Sequence, residues 1–161
     1  MSRGSDKPVT GGTQANYTGT SLEKFIQDRL IERGYAFVVN KKFDAAKYLE
    51  QPIYTRRYYV GLNIYDAKLY CDFILYHPQK WPKGLIIESK WQQSGGSVDE
   101  KYPFLVLNIQ YRYPCPTIVL IDGGGYRKSA EDWLRGQAGS HNLIHVFSMS
   151  EFQKWVNQGH L

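Results

Sequence analysis

One stretch decides the fold expected of this chain: residues 85–92, LIIESKWQ. It opens with a short apolar, β-branched run after a turn marked by proline and glycine, which predicts a buried strand. Side chains alternate between the two faces of a strand, so Glu88, Lys90 and Gln92 share one face with Ile86. That face changes from apolar to charged halfway along, and buried charges need partners. A metal ion and a phosphate would supply them.

A second strand is predicted at residues 68–76, KLYCDFILY, in which Asp72 is the one acidic residue. The connection, residues 77–84, is short and rich in turn formers, as in an antiparallel hairpin that brings Asp72 beside Glu88. Carboxylate oxygens suit a hard divalent cation such as Mg²⁺, which can polarise a phosphoryl oxygen and lower the pKa of a bound water. Lys90 can stabilise developing negative charge. Together these groups predict hydrolysis of a phosphodiester bond.

At these residues the chain resembles the PD-(D/E)XK nuclease superfamily, whose pattern places an acid on one strand and acid-x-Lys on the next. The pattern stands here as Cys71-Asp72 followed by Glu88-Ser89-Lys90. A cysteine replaces the proline of the family pattern and leaves the acid that carries the chemistry in place. Residues 87–93 and 96–103 also look like stretches of small stand-alone and restriction-type members, and the likeness covers most of the chain.

The resemblance implies both an architecture and a set of roles. The predicted order of helices and strands implies an α/β sandwich, with one central mixed β-sheet flanked by helices on both faces, and the superfamily has this restriction-endonuclease-like architecture. The resemblance implies that Asp72, Glu88 and the Ser89 carbonyl bind the metal. It implies that Lys90 assists the nucleophile or stabilises the transition state, and that Gln92 and Glu23 support the site.

Two interpretations of Glu23 remain open. In many members of the resembled superfamily an acid on the first helix leans into the metal site, and Glu23 occupies the corresponding place. The segment Thr20-Ser21-Leu22-Glu23 is also a capping-box pattern, in which Glu23 only reaches back to the backbone of Thr20 at the start of that helix.

Basic residues in three segments are candidates for contacts with DNA: Arg56 and Arg57 within residues 53–61, Lys101 in a helix predicted over residues 97–110 and interrupted early by Pro103, and Arg127 and Lys128 after three glycines. Such residues grip phosphates or reach base edges. For the two arginines of the first segment, the alternative is an edge strand whose arginines prevent aggregation. For the lysine of the predicted helix, it is a solvated helix surface. For the third segment, the glycines only permit a sharp turn. The P-loop and dinucleotide fingerprints are absent from the sequence, so no nucleotide cofactor is expected.

Composition fits the same picture. The chain has 161 residues, a formal net charge of +5 and thirteen tyrosines. Basic and aromatic residues together suit nucleic acid, although a modest positive charge and half-buried tyrosines are common in other proteins. Residues 1–18 are predicted to be a flexible tail and residues 19–161 a single domain. The sequence lacks an apolar run of transmembrane length, which predicts a cytoplasmic protein without a membrane partner.

We therefore expect a Mg²⁺-dependent endonuclease that acts on DNA, with Mn²⁺ as a possible substitute. Three alternatives remain: a non-catalytic DNA-binding module of the same fold, a nuclease for RNA or branched DNA, and a structural or protein-interaction domain that would leave the charged strand face unexplained. One active site cuts one strand, so double-strand cleavage would require a homodimer or two binding events.

Overall fold

A computed structural model describes residues 11–93 and 98–161, with side chains described from residue 21 onward. The described residues form one mixed sheet of six strands: β1 Ala36–Phe37, β2 Ile53–Leu62, β3 Lys68–His77, β4 Trp81–Trp91, β5 Thr117–Asp122 and β6 Leu143–Phe147. Strand order in the sheet follows chain order. β2, β3 and β4 are antiparallel neighbours, whereas β1 runs parallel to β2 and β5 and β6 run parallel to β4.

Helices cover both faces of this sheet. They are α1 Gly11–Glu32, α2 Phe43–Ala46, α3 Val98–Tyr111, α4 Lys128–Gly136 and α5 Met149–Asn157, and 3₁₀ turns flank α2 on either side. The apolar residues of α1 and α5 pack on one face, and those of α2, α3 and α4 pack on the other. The predicted α/β sandwich with helices on both faces is therefore confirmed.

The central strands explain why two layers of helices are needed. Ile86 and Ile87 are both fully buried, yet they belong to different core clusters because consecutive side chains of a strand point to opposite faces. In β5, Ile118 and Val119 divide between the clusters in the same way. A near-continuous apolar run was predicted for residues 117–122, and the strand has those bounds.

Two boundaries near the start of the chain differ from prediction. Helix α1 begins at Gly11 rather than near Thr20, so Glu23 lies inside the helix and cannot close its N-terminus. Residues 11–18 of the predicted tail belong to α1, and residues 1–10 lie outside the described residues. Residues 35–40 are rich in aromatic and β-branched residues and predict a first strand, but the strand covers only β1 because the chain turns into a 3₁₀ helix at Asn40.

Two further differences concern the elements that carry the site. The turn between β3 and β4 is shorter than residues 77–84, because His77 already pairs with Trp81 and its Nδ1 accepts the N–H groups of Gln79 and Lys80 at 3.1 and 3.0 Å. Helix α3 continues through Pro103 without interruption. Its buried side chains hold it in place on both sides of the proline: Tyr102, Leu105, Val106 and Ile109. The predicted cap at Ser97 lies outside the described residues.

The closing helix was predicted correctly from its first turn. Ser148 accepts the N–H of Glu151 through its hydroxyl at 3.3 Å, and Glu151 Oε1 accepts the N–H of Ser148 at 3.3 Å. This is a complete capping box, as the sequence pattern indicated.

Candidate active site

The site lies where β3 and β4 separate. The last backbone pair between these strands toward the site is Phe73 with Ile87, so Asp72 and Glu88 are the next residues on either side. Beyond that pair, Asp72 Oδ2 accepts the backbone N–H of Ser89 at 2.9 Å and its hydroxyl at 3.3 Å. The Asp72 carboxylate thus takes over the role of a backbone acceptor at the point where the ladder stops.

This hydrogen bond also fixes where the carbonyl of Ser89 points. In a strand, the N–H and C=O of one residue face the same neighbour. Because the N–H of Ser89 meets Asp72, its carbonyl oxygen is directed to the same side. The sequence assigned this carbonyl to a metal site together with Asp72 and Glu88, and the strand geometry is compatible with that arrangement.

Strand β3 loses its strict alternation at Asp72. Cys71 packs in the same core cluster as Ile74, although residues three apart on a regular strand point to opposite faces. Arg57 lies opposite Asp72 on β2, because its two sequence neighbours pair with the two sequence neighbours of Asp72. Its φ is 50°. Cys71 is buried and, like Cys115, it is a free cysteine. Sequence alternation alone does not predict this irregularity.

Three charged groups meet in the space that the strands leave. Lys90 Nζ lies 3.7 Å from Glu88 Oε2 and 3.8 Å from Asp72 Oδ2. Glu88 is only 2% exposed, whereas 30% of the side-chain surface of both Asp72 and Lys90 remains accessible. These residues line a pocket together with residues of α3 and its flanks, among them Lys101, Phe104 and Asn108. The pocket therefore has acidic residues at its base and is open to solvent.

Sequence reasoning missed one residue of the site, Tyr113. It follows α3, is 6% exposed, and donates its hydroxyl hydrogen to Glu88 Oε1 at 2.5 Å. This contact fixes the orientation of the buried carboxylate. With thirteen tyrosines in the chain, the sequence offered no signal to single out this one.

The electrostatics of the site are dominated by burial. Burial, reinforced by the charge of Asp72, raises the pKa of Glu88 from 4.5 to about 8. Burial lowers the pKa of Lys90, but the charges of Glu88 and Asp72 outweigh this effect and its pKa is raised overall. Glu88 therefore holds a proton near neutral pH when no cation is present, while Lys90 stays charged.

A divalent cation fits this donor set. The available donors are two carboxylates and one backbone carbonyl, all of them hard oxygen ligands. Within residues 11–93 and 98–161, no group of three or more His, Cys, Asp or Glu side chains is arranged to hold a metal. Mg²⁺ nevertheless suits such a site, because it commonly takes one or two carboxylates and fills its remaining positions with water and phosphate oxygens. A cation would also compensate the buried charge of Glu88.

Glu23, one of the two predicted supporting residues, lies beside the charged cluster. Glu23 forms an ion pair with Arg56, and its charge helps to raise the pKa of Lys90. The guanidinium of Arg56 also lies over the ring of Phe73, 5.0 Å from its centroid. Arg56 is thus held by intramolecular contacts, and Glu23 acts on the site through its charge.

Gln92 lies at the end of β4 against the loop between β5 and α4. The side-chain Nε2 of Gln92 donates to the backbone carbonyl of Gly125 at 3.1 Å. The backbone carbonyl of Gln92 accepts the backbone N–H of Gly125 at 2.7 Å. At Gly123, which has a φ of 102°, a Cβ would lie 2.4 Å from the Gln92 carbonyl oxygen. The glycines therefore permit a sharp turn packed on β4, which was one of the two alternatives drawn from the sequence.

The remaining basic candidates are distributed around the molecule. Lys101 is exposed and lines the pocket that contains Asp72 and Glu88. Arg57 is exposed and lines a neighbouring groove on β2. At the start of α4, Arg127 Nε lies 3.6 Å from Oδ2 of Asp99. Lys128 forms an exposed ion pair with Asp132. Of this set, the structure brings Lys101 into the pocket and Arg57 near it. Contacts of these residues with DNA stay a prediction.

Comparison with known proteins gave one informative result. A family model described as a PD-(D/E)XK nuclease superfamily domain matches residues 14–160, nearly the full length of the chain. Searches of curated proteins and of solved structures gave no significant match. Over the part of the chain that the structure describes, no helix is long and apolar enough to cross a membrane.

Proposed function

The chain belongs to the PD-(D/E)XK nuclease superfamily, and from this premise we propose that it is a Mg²⁺-dependent endonuclease that hydrolyses phosphodiester bonds of DNA. One observation carries the proposal. Lys90 Nζ lies within 4 Å of both Asp72 and Glu88, in a pocket formed where two strands of the sheet separate. A site that had lost its chemistry would be expected to lack one of these three groups.

We assign a separate role to each residue of the site. Asp72, Glu88 and the Ser89 carbonyl would hold Mg²⁺, with Mn²⁺ as a substitute. The bound cation would supply Lewis-acid stabilisation of a phosphoryl oxygen and a water of lowered pKa. The ammonium group of Lys90 can donate a hydrogen bond to the attacking water or to the oxygen on which negative charge develops. Tyr113 keeps Glu88 in position by hydrogen bonding to Oε1.

The charge of the protein favours a polyanionic substrate. The formal net charge is +5, and Lys101 lies at the rim of the pocket, where it can contact a phosphate next to the scissile one. Ionised carboxylates in the pocket repel phosphates unless a cation lies between them. Binding of substrate at this site and binding of metal should therefore support each other.

The test is cleavage of supercoiled plasmid with Mg²⁺, Mn²⁺ or EDTA by the wild type and by Lys90→Ala. A matched control is Lys83→Ala, because Lys83 is an exposed lysine on the same strand. We expect nicking or linearisation that requires the metal, is retained by Lys83→Ala, and falls by about 10²–10³-fold in Lys90→Ala, the range for loss of one electrostatic donor.

The products report further properties. Discrete fragments would indicate sequence specificity, and direct linearisation would indicate a homodimer or two coordinated binding events, because one site cuts one strand. Absence of cleavage on plasmid, single-stranded, branched and RNA substrates with either metal would refute the proposal. If DNA were still bound in that case, the non-catalytic DNA-binding alternative would take its place.

A further inference from the structure

A groove next to the catalytic pocket is lined by aromatic and basic residues. It lies along β2 and β3, and its lining includes Lys41, Arg57, Tyr59 and Tyr70. Tyr70 also lines the pocket that contains Asp72, so the groove and the pocket meet at this residue. The groove therefore adjoins the pocket that contains the Asp72 carboxylate.

Two tyrosine rings in this groove are accessible to solvent. Tyr59 and Tyr70 are directly paired across β2 and β3, and their ring centroids lie 5.6 Å apart. They are 48% and 53% exposed, whereas Tyr54 and Tyr102 are almost completely buried. Aromatic rings exposed in this way, beside cations, provide the surface on which unpaired bases stack in proteins that bind single strands.

The charges of the groove are complementary to a phosphate backbone. Lys41 and Arg57 contribute positive charge, and Asp44 is the acidic residue of the lining. Asp44 lies 3.3 Å from Lys47 Nζ and accepts hydrogen bonds from the Tyr58 hydroxyl at 2.8 and 2.9 Å. The charge of Asp44 therefore has partners within the protein, and the two basic residues leave the lining with a positive formal charge.

The β2–β3 hairpin, which carries Tyr59 and Tyr70, is held in a fixed position by contacts with α3. At the tip of the β2–β3 hairpin, the N–H of Ile64 donates to Asn108 Oδ1 of α3 at 2.9 Å. Tyr65 stacks on Phe104 of the same helix, with ring centroids 5.3 Å apart. These contacts fix the hairpin against the wall of the catalytic pocket, so little ordering is needed when a ligand binds.

We propose that this groove binds an unpaired DNA strand, with bases stacked on Tyr59 and Tyr70 and phosphates near Arg57 and Lys41, and that the preferred substrate has a single-stranded segment beside the scissile bond. The inference rests on the proposed function. In a duplex each base is already stacked between its neighbours, so its faces cannot meet the two rings. Single strands, flaps and splayed junctions can present them.

The test measures binding without cleavage. Fluorescence anisotropy in EDTA would compare a labelled single strand, its duplex, and the same single strand with abasic sites, each with the wild type and with Tyr59→Ala, Tyr70→Ala and Tyr70→Phe. Tyr48→Ala is the matched control, because Tyr48 is 89% exposed and belongs to the 3₁₀ turn after α2. Circular dichroism would establish that each variant is folded.

We expect the single strand to bind at least about tenfold more tightly than the duplex. Loss of one ring should weaken single-strand binding by about 5- to 150-fold, the range for one base stacked on one aromatic ring. Tyr70→Phe should bind like the wild type because it keeps the ring, Tyr48→Ala should be unchanged, and abasic sites should weaken binding to the wild type as much as the loss of a ring does.

The inference is overturned if the duplex binds as tightly as the single strand, if abasic sites have no effect, if Tyr59→Ala and Tyr70→Ala bind normally, or if no DNA is bound. Its failure is distinct from failure of the proposed function. Lys90-dependent plasmid cleavage with normal single-strand binding by Tyr70→Ala would refute the inference alone. Ring-dependent binding of single strands without cleavage of any substrate would refute the catalytic function and leave the inference standing.

Discussion

Replacing Glu88 by glutamine should change how the stability of the metal-free protein depends on pH. The folded protein keeps the Glu88 proton up to about pH 8, whereas an unfolded chain releases it near 4.5. Between these values the folded state binds one more proton, so a rise in pH lowers the free energy of unfolding by about 1.36 kcal/mol per pH unit. The full loss amounts to about 5 kcal/mol and is complete above pH 8.

The Glu88→Gln variant has no carboxyl group to ionise, so it should escape this loss. Urea denaturation in EDTA at pH values from 5 to 9.5 would give the free energy of unfolding of both proteins. We expect the stability of the variant relative to the wild type to increase toward high pH, with about 5 kcal/mol as the full range of the effect. Other titrating groups are shared by both proteins and largely cancel in the difference.

A matched control is Glu50→Gln, which replaces an exposed residue at the end of the 3₁₀ turn after α2, keeps Glu88, and should lose stability toward high pH as the wild type does. Added Mg²⁺ or Mn²⁺ should stabilise wild-type protein at pH 9 and leave Glu88→Gln almost unaffected, because the cation replaces the proton as the partner of Glu88. A difference between the two proteins that stays constant within about 1 kcal/mol from pH 5 to 9.5 would refute the reasoning.

Three further predictions follow from single contacts. Tyr113→Phe removes a hydrogen bond that lowers the pKa of Glu88. Calorimetric titration with Mn²⁺ should therefore show about tenfold weaker metal binding at pH 7 and a smaller loss of affinity at pH 9.5. Equal losses of affinity at the two pH values would contradict this role of Tyr113. Gly123→Ala should destabilise the protein in urea by about 1–3 kcal/mol more than Gly124→Ala, because both have positive φ but only at Gly123 would a Cβ approach the backbone at the end of β4. Asn108→Ala should speed amide exchange at the hairpin tip and leave β5 unaffected, because it removes the acceptor of a tip amide, at a cost of about 1–3 kcal/mol; unchanged exchange would show that the tip is held by other contacts.

The convergence of Asp72, Glu88 and Lys90 could be predicted because it depends on local rules. Alternation along one strand places Glu88 and Lys90 on one face, and a short hairpin sets Asp72 opposite Glu88. The capping box of Ser148 and Glu151 is local in the same sense. In each case the residues that interact lie near one another in the sequence or are joined by a single tight turn.

Other features depend on tertiary packing and could not be predicted this way. Tyr113 meets Glu88 only because the chain returns to the sheet after α3, and Glu23 meets Arg56 only because α1 packs on the face of the sheet. The capping-box pattern at Thr20 to Glu23 predicted the start of α1 wrongly, because the helix continues past it to Gly11. Local propensity was overridden there by a longer helix.

The sheet order has a consequence for how the molecule can assemble. Each strand pairs with the one that precedes it in the chain, and every predicted catalytic residue except Glu23 lies between Asp72 and Lys101, with Tyr113 shortly after. A ribosome releases β2, β3 and β4 in the order in which they pair, and α3 can close over them before β5 and β6 exist. Pairings between sequence neighbours require only small loops to close. The pocket that contains Asp72, Glu88 and Lys90 can thus begin to form during synthesis, and the parallel strands then extend a sheet that already contains it.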